Sequence, residues 1–298
     1  MEAARTDRKW TGKTDGTPWM HRALVGLIRV LGLRTIYVVA AVFVVPFYLL
    51  FRGKARRAIY RYFRQRQGFP PLKAACHTVR NHFRFAQVIL DRAASYGGRH
   101  FEMVLERPEL FYDLANGPQG FMMLGSHIGN HEIVGYSLPS PKPMNALAFG
   151  GEAGHVIRNR RIALAGSNVR LVEIKDDLSH LFILNNALAD GEIVTVLSDR
   201  VSQNGKTLAV NLLGAPVRLP EGPFFLAAAR EVPVISVFVL KETAHRYRVL
   251  LYPVDAGAPG MSRQERMETM AASYARSIEE ALRRYPDQWF NYYDYWES

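Results

Sequence analysis

Residues 121–132, FMMLGSHIGNHE, decide the fold, because a short apolar run leads there directly into a polar stretch that carries histidine. The apolar run is bounded by Gly120 and Gly125, a pattern typical of a buried strand that enters a loop. In α/β folds, functional side chains gather where strands end in loops. We therefore predict that a strand ends near Gly125 and that the residues after it form a site.

His127 and Glu132 supply the chemistry that this segment can carry. They are five residues apart, which would set them about 140° apart on an ideal helix. They can meet only if His127 lies in the loop or at a helix start and Glu132 lies in the first turns. An imidazole in that place can take a proton from a substrate hydroxyl while a carboxylate holds its other ring nitrogen. We therefore predict His127 as a general base and Glu132 as its orienting carboxylate.

A metal site is the alternative for the same segment. His127 and His131 are four residues apart, so they could share one helix face as two metal ligands do. No convincing third ligand stands out elsewhere, and Gly129 weakens a continuous helix there. Gly129 also permits a close backbone approach, so that free amides at a helix start could hold an oxyanion or a phosphate. We expect no metal.

Apolar runs alternate with amphipathic helical patterns along the rest of the chain. We predict further strands at 145–149, 169–174, 192–199, 208–213, 232–240 and 247–254. Helical patterns cover 70–116, interrupted at Gly97-Gly98, and then 152–166, 177–190, 221–230 and 262–284. This alternation predicts an α/β fold in which helices flank a central sheet.

Residues 36–51, IYVVAAVFVVPFYLLF, carry no charge and need an apolar environment. As a helix this run covers about 24 Å, short of a hydrocarbon core about 30 Å thick, and Pro46 would kink it. Three interpretations stay open: a short or tilted membrane span, a wedge in one leaflet, and a helix buried in the protein core.

Residues 52–66 follow this run with seven Arg and Lys and no acidic residue. The whole chain has a net charge of +11, which suits an anionic lipid surface, an acidic carrier protein or nucleic acid. Basic residues beside an apolar run gain about 1 kcal/mol each near anionic lipid, on the cytoplasmic side. The neighbouring apolar run therefore favours lipid over nucleic acid. Cys76 is the only cysteine, which excludes an intramolecular disulfide and a cluster of thiolate ligands.

HIGNHE at 127–132 resembles the His-x4-acid pattern of the lysophospholipid acyltransferase superfamily. Its Gly129-Asn130 pair is similar to the lipid A biosynthesis lauroyl/myristoyl acyltransferase branch. The order of features agrees over most of the chain, from the apolar segment and its basic flank to the aromatic C-terminal stretch YPDQWFNYYDYW at 285–296. The resemblance implies a membrane-associated segment at 1–66, followed at 67–298 by an acyltransferase-like mixed sheet flanked by helices.

The resemblance also implies an activity. A fatty acyl group would pass from a thioester of acyl carrier protein or coenzyme A to a hydroxyl of a lipid or glycolipid. The thioester is already activated, so neither a covalent enzyme intermediate nor a bound cofactor is expected. Amides near Gly129 and Asn130, or a basic side chain, would stabilise the oxyanion. The implied partners are membrane lipid and acyl carrier protein, with no nucleic acid, at the cytoplasmic face of the inner membrane.

The second half of the chain, from Leu197 onward, resembles the same family. By the resemblance, Asp199 and Arg200 would face the site from a strand end, and Arg218 with Glu221 would lie where a phosphate or headgroup binds. A local ion pair at 199–200 and a surface charge at Arg218 are the structural alternatives. The chain reads EGPF at 221–224 where the phospholipid-type pattern has Glu-Gly-Thr-Arg, which argues against a glycerol-3-phosphate acceptor.

Two alternatives to a lipid A-like acceptor remain open from the sequence. One keeps the enzyme and changes its acceptor to another lipid, such as a polyene-type lipid. The other is a protein without catalysis that binds a membrane or nucleic acid through residues 52–66.

Overall fold

The structure, a computed structural model, describes residues 18–148, 167–174, 177, 179–201 and 205–296. The helix predicted at 152–166 lies outside these residues. The described strands are β1 Glu102–Glu106, β2 Phe121–Gly125, β3 Met144–Ala148, β4 Val169–Glu173, β5 Ile193–Leu197, β6 Thr207–Leu212, β7 Ala215–Pro220, β8 Val234–Lys241 and β9 Arg246–Val254. The described α-helices are α1 Pro18–Leu31, α2 Leu33–Val39, α3 Val45–Phe51, α4 Gly53–Arg61, α5 Pro71–Tyr96, α6 Glu109–Asn116, α7 Val134–Ser137, α8 Ser179–Ala189, α9 Glu221–Arg230 and α10 Arg263–Arg284.

A seven-stranded sheet forms the centre, in the order β1-β9-β8-β2-β5-β3-β4. Neighbouring strands are parallel except β8 and β9, so β1 and β9 run against the other five. The predicted mixed α/β sheet flanked by helices is confirmed. The strand predicted at 208–213 lies outside this sheet, because β6 pairs with β7 in a separate antiparallel hairpin.

Strand β2 shows why the centre of the sheet is apolar on both faces. All five of its residues are buried. Met122 and Leu124 point into one core, which α9 and α10 cover, whereas Phe121 and Met123 point into the other, which α6 covers. Successive side chains of a strand face opposite sides, so a strand buried on both faces reads as a continuous apolar run.

The helical pattern predicted at 70–116 is wrong for residues 102–106. Helix α5 ends at Tyr96, just before the predicted break at Gly97-Gly98, but EMVLE then forms β1. This strand lies at the edge of the sheet and pairs only with β9, where Glu102 is opposite Arg246. The pairing is a tertiary contact, and these five partly exposed residues show too little alternation of apolar and polar side chains to predict a strand.

The apolar N-terminal run forms a nearly continuous helix, Leu33–Phe51. Within the described residues it is the one helix long and apolar enough to cross a membrane. A π-helical turn at Ala40–Val44 comes just before Pro46, whose ring lacks the N–H that a regular helix needs. Because 28% of its apolar window is buried, the helix does not fit the interpretation as a core helix. A short or tilted membrane span and a wedge in one leaflet both stay open as interpretations.

A buried polar cluster joins this helix to the sheet. Asp91 on α5 forms an ion pair with Lys241 at the end of β8, at 2.5 Å, and both side chains are fully buried. Tyr37 in the apolar helix and Tyr247 in β9 donate hydrogen bonds to the same carboxylate. The apolar helix is therefore bonded to α5 and to the sheet, and the division of the chain at residue 66 stays a prediction.

Candidate active site

Two neighbouring parallel strands place His127 and Asp199 side by side. β2 and β5 pair with Gly125 opposite Leu197, and each functional residue follows its strand end by two positions. Nδ1 of His127 lies 2.8 Å from Oδ1 of Asp199, and the backbone N–H of His127 donates to Oδ2 at 3.0 Å. The carboxylate therefore fixes both the ring and the backbone of His127.

The surroundings of this pair favour a charged Asp199 and an available His127. Burial alone raises the pKa of Asp199, but the charges of His127 and Arg200 and the hydrogen bonds from His127 outweigh burial and hold that pKa well below its usual range. The imidazole is 22% exposed, and its Nε2 has no partner among the described residues. In the neutral ring with Nδ1–H donating to the carboxylate, Nε2 would carry the lone pair that a general base needs.

Glu132 does not hold the imidazole, which corrects that part of the sequence-based prediction. Its carboxylate accepts hydrogen bonds from Arg92 and, at 2.8 Å, from the hydroxyl of Tyr96, both on α5. The chain turns at Gly129, whose φ is 64°, and Glu132 then lies in a short 3-10 turn directed at α5. His127 lies in the loop, where we predicted it, but Glu132 fastens that loop to α5.

The amides of Gly129 and Asn130 are also not free for an oxyanion, so that prediction is wrong. Gly129 N–H donates to the carbonyl of Gln288 at 2.8 Å, and Asn130 N–H donates to the carbonyl of Val239 at 2.7 Å. A Cβ at position 129 would lie 2.0 Å from the Val239 oxygen. Glycine is therefore required for the loop to approach β8, and both residues hold the loop in place.

The rings of His127 and His131 meet edge to face, with centroids 5.3 Å apart. Within the part of the chain that the structure describes, no three His, Cys, Asp or Glu side chains are grouped to hold a metal. Nδ1 of His127 is already bonded to Asp199.

The C-terminal tail, which we define as residues 285–296, closes over the loop of His127. Phe290 N–H donates to the carbonyl of His127 at 3.0 Å. Arg200, expected to face the substrate, instead donates to Oδ1 of Asn291 at 2.9 Å and to the carbonyl of Phe290 at 3.1 Å. Arg200 therefore holds the tail, and the tail holds the backbone of His127.

Arg218 and Glu221 lie on and just after the β6–β7 hairpin. Arg218 is exposed and its Nη1 is 3.2 Å from the hydroxyl of Thr207 on the neighbouring strand. Glu221 begins α9, and its backbone N–H donates to the carbonyl of Lys206. None of these contacts involves His127, and headgroup binding by these two residues stays a prediction.

Arg92 and Tyr96 are site-supporting residues that the sequence analysis missed. They are four residues apart on α5, so they share one helix face and reach Glu132 together. The spacing of an arginine and a tyrosine on a helix was the available signal, but it does not say which acid they meet.

The site defines a class of protein: an α/β protein in which a buried carboxylate orients a histidine at the ends of parallel strands. The sequence model of the bacterial lipid A biosynthesis acyltransferase family matches residues 102–297, a stretch that contains all nine described strands and the tail. The chain belongs to this family and is an acyltransferase, which confirms the family resemblance.

Among solved structures, the chain is similar to the 1-acyl-sn-glycerophosphate (LPA) acyltransferase PlsC from Thermotoga maritima. The two are 16% identical with a TM-score of 0.41, over 88% of this chain and 98% of that one. No curated protein matches the chain in sequence. Family membership therefore rests on the match over 102–297.

Proposed function

We propose that this acyltransferase moves a fatty acyl group from an acyl thioester to a hydroxyl of a lipid or glycolipid acceptor of the lipid A type. The observation that carries the proposal is the pair of His127 and Asp199, in which Nδ1 is bonded to a buried carboxylate and Nε2 has no partner in the part of the chain that the structure describes. A general base with this arrangement suits the activation of an acceptor hydroxyl.

In the proposed reaction, Nε2 of His127 takes the proton of the acceptor hydroxyl as its oxygen attacks the thioester carbonyl carbon. Asp199 stabilises the imidazolium that forms. The tetrahedral intermediate then collapses, the carbon–sulfur bond breaks, and the proton passes from His127 to the departing thiolate. The products are an ester and a free thiol, so atoms and charge balance without a metal or cofactor.

We assign the oxyanion to a donor other than the amides of Gly129 and Asn130, since both are bonded within the protein. A basic side chain, the other option from the sequence, fits the charge of the intermediate. Glu132 becomes a positioning residue that acts through the loop, because its partners are Arg92 and Tyr96.

The acyl donor is proposed to be a thioester of acyl carrier protein or of coenzyme A. Both carriers are negatively charged, and the net charge of +11 attracts them. The location is proposed to be the cytoplasmic face of the inner membrane. Its support is the exposed apolar surface of the helix Leu33–Phe51, where Phe43 is 69% and Phe47 is 54% exposed. Recovery of the full chain in the soluble fraction after cell lysis would contradict membrane association.

Acyl transfer by purified variants tests the roles of the two carboxylates. His127→Ala and Asp199→Asn should each lower kcat by roughly 10³–10⁴-fold, because the base is removed or loses its orienting charge. Glu132→Gln should lower kcat less, since the imidazole of His127 keeps Asp199 as its partner. Asp190→Asn, the same change at an exposed aspartate, is the matched control and should keep full activity.

Two results would overturn this assignment. Retained transfer in a folded His127→Ala protein would remove the proposed base. A small loss of kcat in Asp199→Asn together with a large loss in Glu132→Gln would assign the orienting role to Glu132 instead. Mass spectrometry of the lipids of a host with and without the active chain then identifies the acceptor, and a product outside the lipid A type would support the alternative acceptor class.

A further inference from the structure

A cavity lies between the basic flank, which we define as residues 52–66, and the tail. It has a volume of about 80 Å³. Arg61, Tyr62 and Arg66 line it from the flank, and Trp289 and Asn291 line it from the tail. A single water needs about 10–15 Å³ on this measure, so the cavity has room for a small polyatomic group.

Three buried N–H donors of the lining residues have no acceptor among the described residues. They are Nε of Arg66, Nε1 of Trp289 and Nδ2 of Asn291. The amide of Asn291 cannot be turned to present oxygen, because its Oδ1 accepts the hydrogen bond from Arg200. A buried donor without an acceptor costs about 1–3 kcal/mol, so three around one cavity require an explanation.

The charges around the cavity favour an anion as that explanation. Arg61 is paired with Asp294 at 3.2 Å. Arg66 forms no ion pair with any described residue, and its guanidinium lies 4.8 Å from the centre of the Trp296 ring. A guanidinium stacked on an aromatic ring keeps its N–H edge for a planar or tetrahedral anion. The residues that line the cavity therefore supply one unpaired positive charge and three donors without an acceptor among the described residues.

We propose that this cavity is a binding site for a phosphate group, held by Arg66, Trp289 and Asn291. The group comes from an anionic membrane phospholipid or from free phosphate, and the position favours the lipid, because residues 52–66 directly follow the exposed apolar helix Leu33–Phe51. Binding does not depend on the proposed chemistry of His127.

Occupancy of the site has a consequence for the active site. Trp289 lies between two residues that hold the loop, since Gln288 accepts from Gly129 at 2.8 Å and Phe290 donates to His127 at 3.0 Å. A phosphate that bonds to Arg66, Trp289 and Asn291 joins the basic flank to this part of the tail. The bound lipid headgroup would thereby order the backbone of His127 where the chain meets an anionic membrane.

The experiment measures phosphate binding on the full chain in the His127→Ala form, so that failure of acyl transfer cannot affect it. One arm titrates inorganic phosphate against chloride at equal ionic strength and follows tryptophan fluorescence. The other arm measures sedimentation with phosphatidylcholine vesicles that contain or lack phosphatidylglycerol. Arg66→Gln should weaken binding by at least about tenfold, because a charge-assisted hydrogen bond is lost.

Asn291→Asp is the second variant. It keeps the oxygen that accepts from Arg200 and replaces the Nδ2 donor with negative charge, so it should abolish phosphate binding while the tail stays folded. Arg64→Gln is the matched control: it makes the same charge change on the same helical turn, where Arg64 donates to the carbonyl of Phe69 and does not line the cavity.

The outcomes separate cleanly. Loss of binding in both cavity variants, with retention in Arg64→Gln, supports the site, and binding in the vesicle arm alone identifies the lipid headgroup as its source. If Arg66→Gln and Arg64→Gln weaken phosphate binding equally, binding depends only on the overall positive charge, which would overturn the proposal. Absence of binding in both arms, with the chain folded, would mean that the cavity holds water and would also overturn it.

Discussion

Asp199 shows at the level of one residue how burial and charge combine in this site. Burial by itself would make an aspartate easier to protonate. The neighbouring His127 and Arg200 and the hydrogen bonds from His127 reverse that effect and keep the pKa low. Asp199 therefore carries its negative charge near neutral pH, and that charge is part of the site.

The same pKa shift predicts a pH dependence of stability. The folded-state pKa lies below the unfolded value of about 3.9, so the ionised carboxylate contributes fully above about pH 4 and its contribution is lost as the pH falls through the folded-state pKa. Urea unfolding should show a difference in free energy between the natural chain and Asp199→Asn that shrinks as the pH falls below about 4. A difference that grows as the pH falls would contradict this sign.

The loop after β2 is the element on which the site depends. Its backbone is bonded on one side to β8, through Asn130 and Val239, and on the other to the tail, through Gly129 and Gln288. The tail in turn is held by Arg200. The backbone of this loop is thus held by pairing that needs Gly129 without a side chain, and the Asp199 carboxylate adds a bond to the backbone N–H of His127.

Gly129→Ala tests this element. The added Cβ meets both a positive φ and the Val239 carbonyl at 2.0 Å, so we expect loss of acyl transfer and a fall in unfolding free energy beyond the roughly 1–3 kcal/mol that strained backbone costs. Gly214→Ala is the matched control, since φ is 77° there and nothing lies within 4 Å. Equal destabilisation of the two variants in urea unfolding would show that the contact with Val239 is unimportant.

At the scale of the whole molecule, the buried pair of Asp91 and Lys241 connects the apolar N-terminal helix to the sheet. Burial raises the pKa of Asp91 and lowers the pKa of Lys241, while each charge opposes the shift of the other. Tyr247 bonds to this carboxylate and accepts a hydrogen bond from Asn130 at 3.3 Å, so the cluster reaches the loop of His127. One continuous polar network therefore runs from the apolar helix to the active site.

Removing one charge of this pair should cost far more than removing both. Lys241→Met leaves a buried carboxylate unpaired, for which we expect a loss of about 3–5 kcal/mol in urea unfolding. Asp91→Asn combined with Lys241→Met should recover part of that loss. Arg283→Met, at an exposed ion pair, should change stability by no more than about 1 kcal/mol. A double variant as unstable as the sum of its single changes would show that the charges are not coupled.

The sequence by itself predicts most of the elements and the position of His127. Apolar runs such as 121–125 and 232–240 are long and uniform enough to identify buried strands, and Gly125 at the end of β2 identifies the start of the loop. These signals are local, because they arise from the pattern of neighbouring residues. The family could be recognised for the same reason, since HIGNHE is a continuous stretch.

The tertiary structure decided which carboxylate orients His127, where the tail lies and that residues 102–106 form an edge strand. Asp199 is 72 residues from His127, and only the adjacency of β2 and β5 brings the two together, whereas Glu132 is near in sequence but faces α5 after the turn at Gly129. Strand order is set by how the apolar faces pack over the whole sheet. A local pattern cannot encode it, and for that reason the sequence indicated His127 as a candidate but not Asp199 as the carboxylate bonded to its ring.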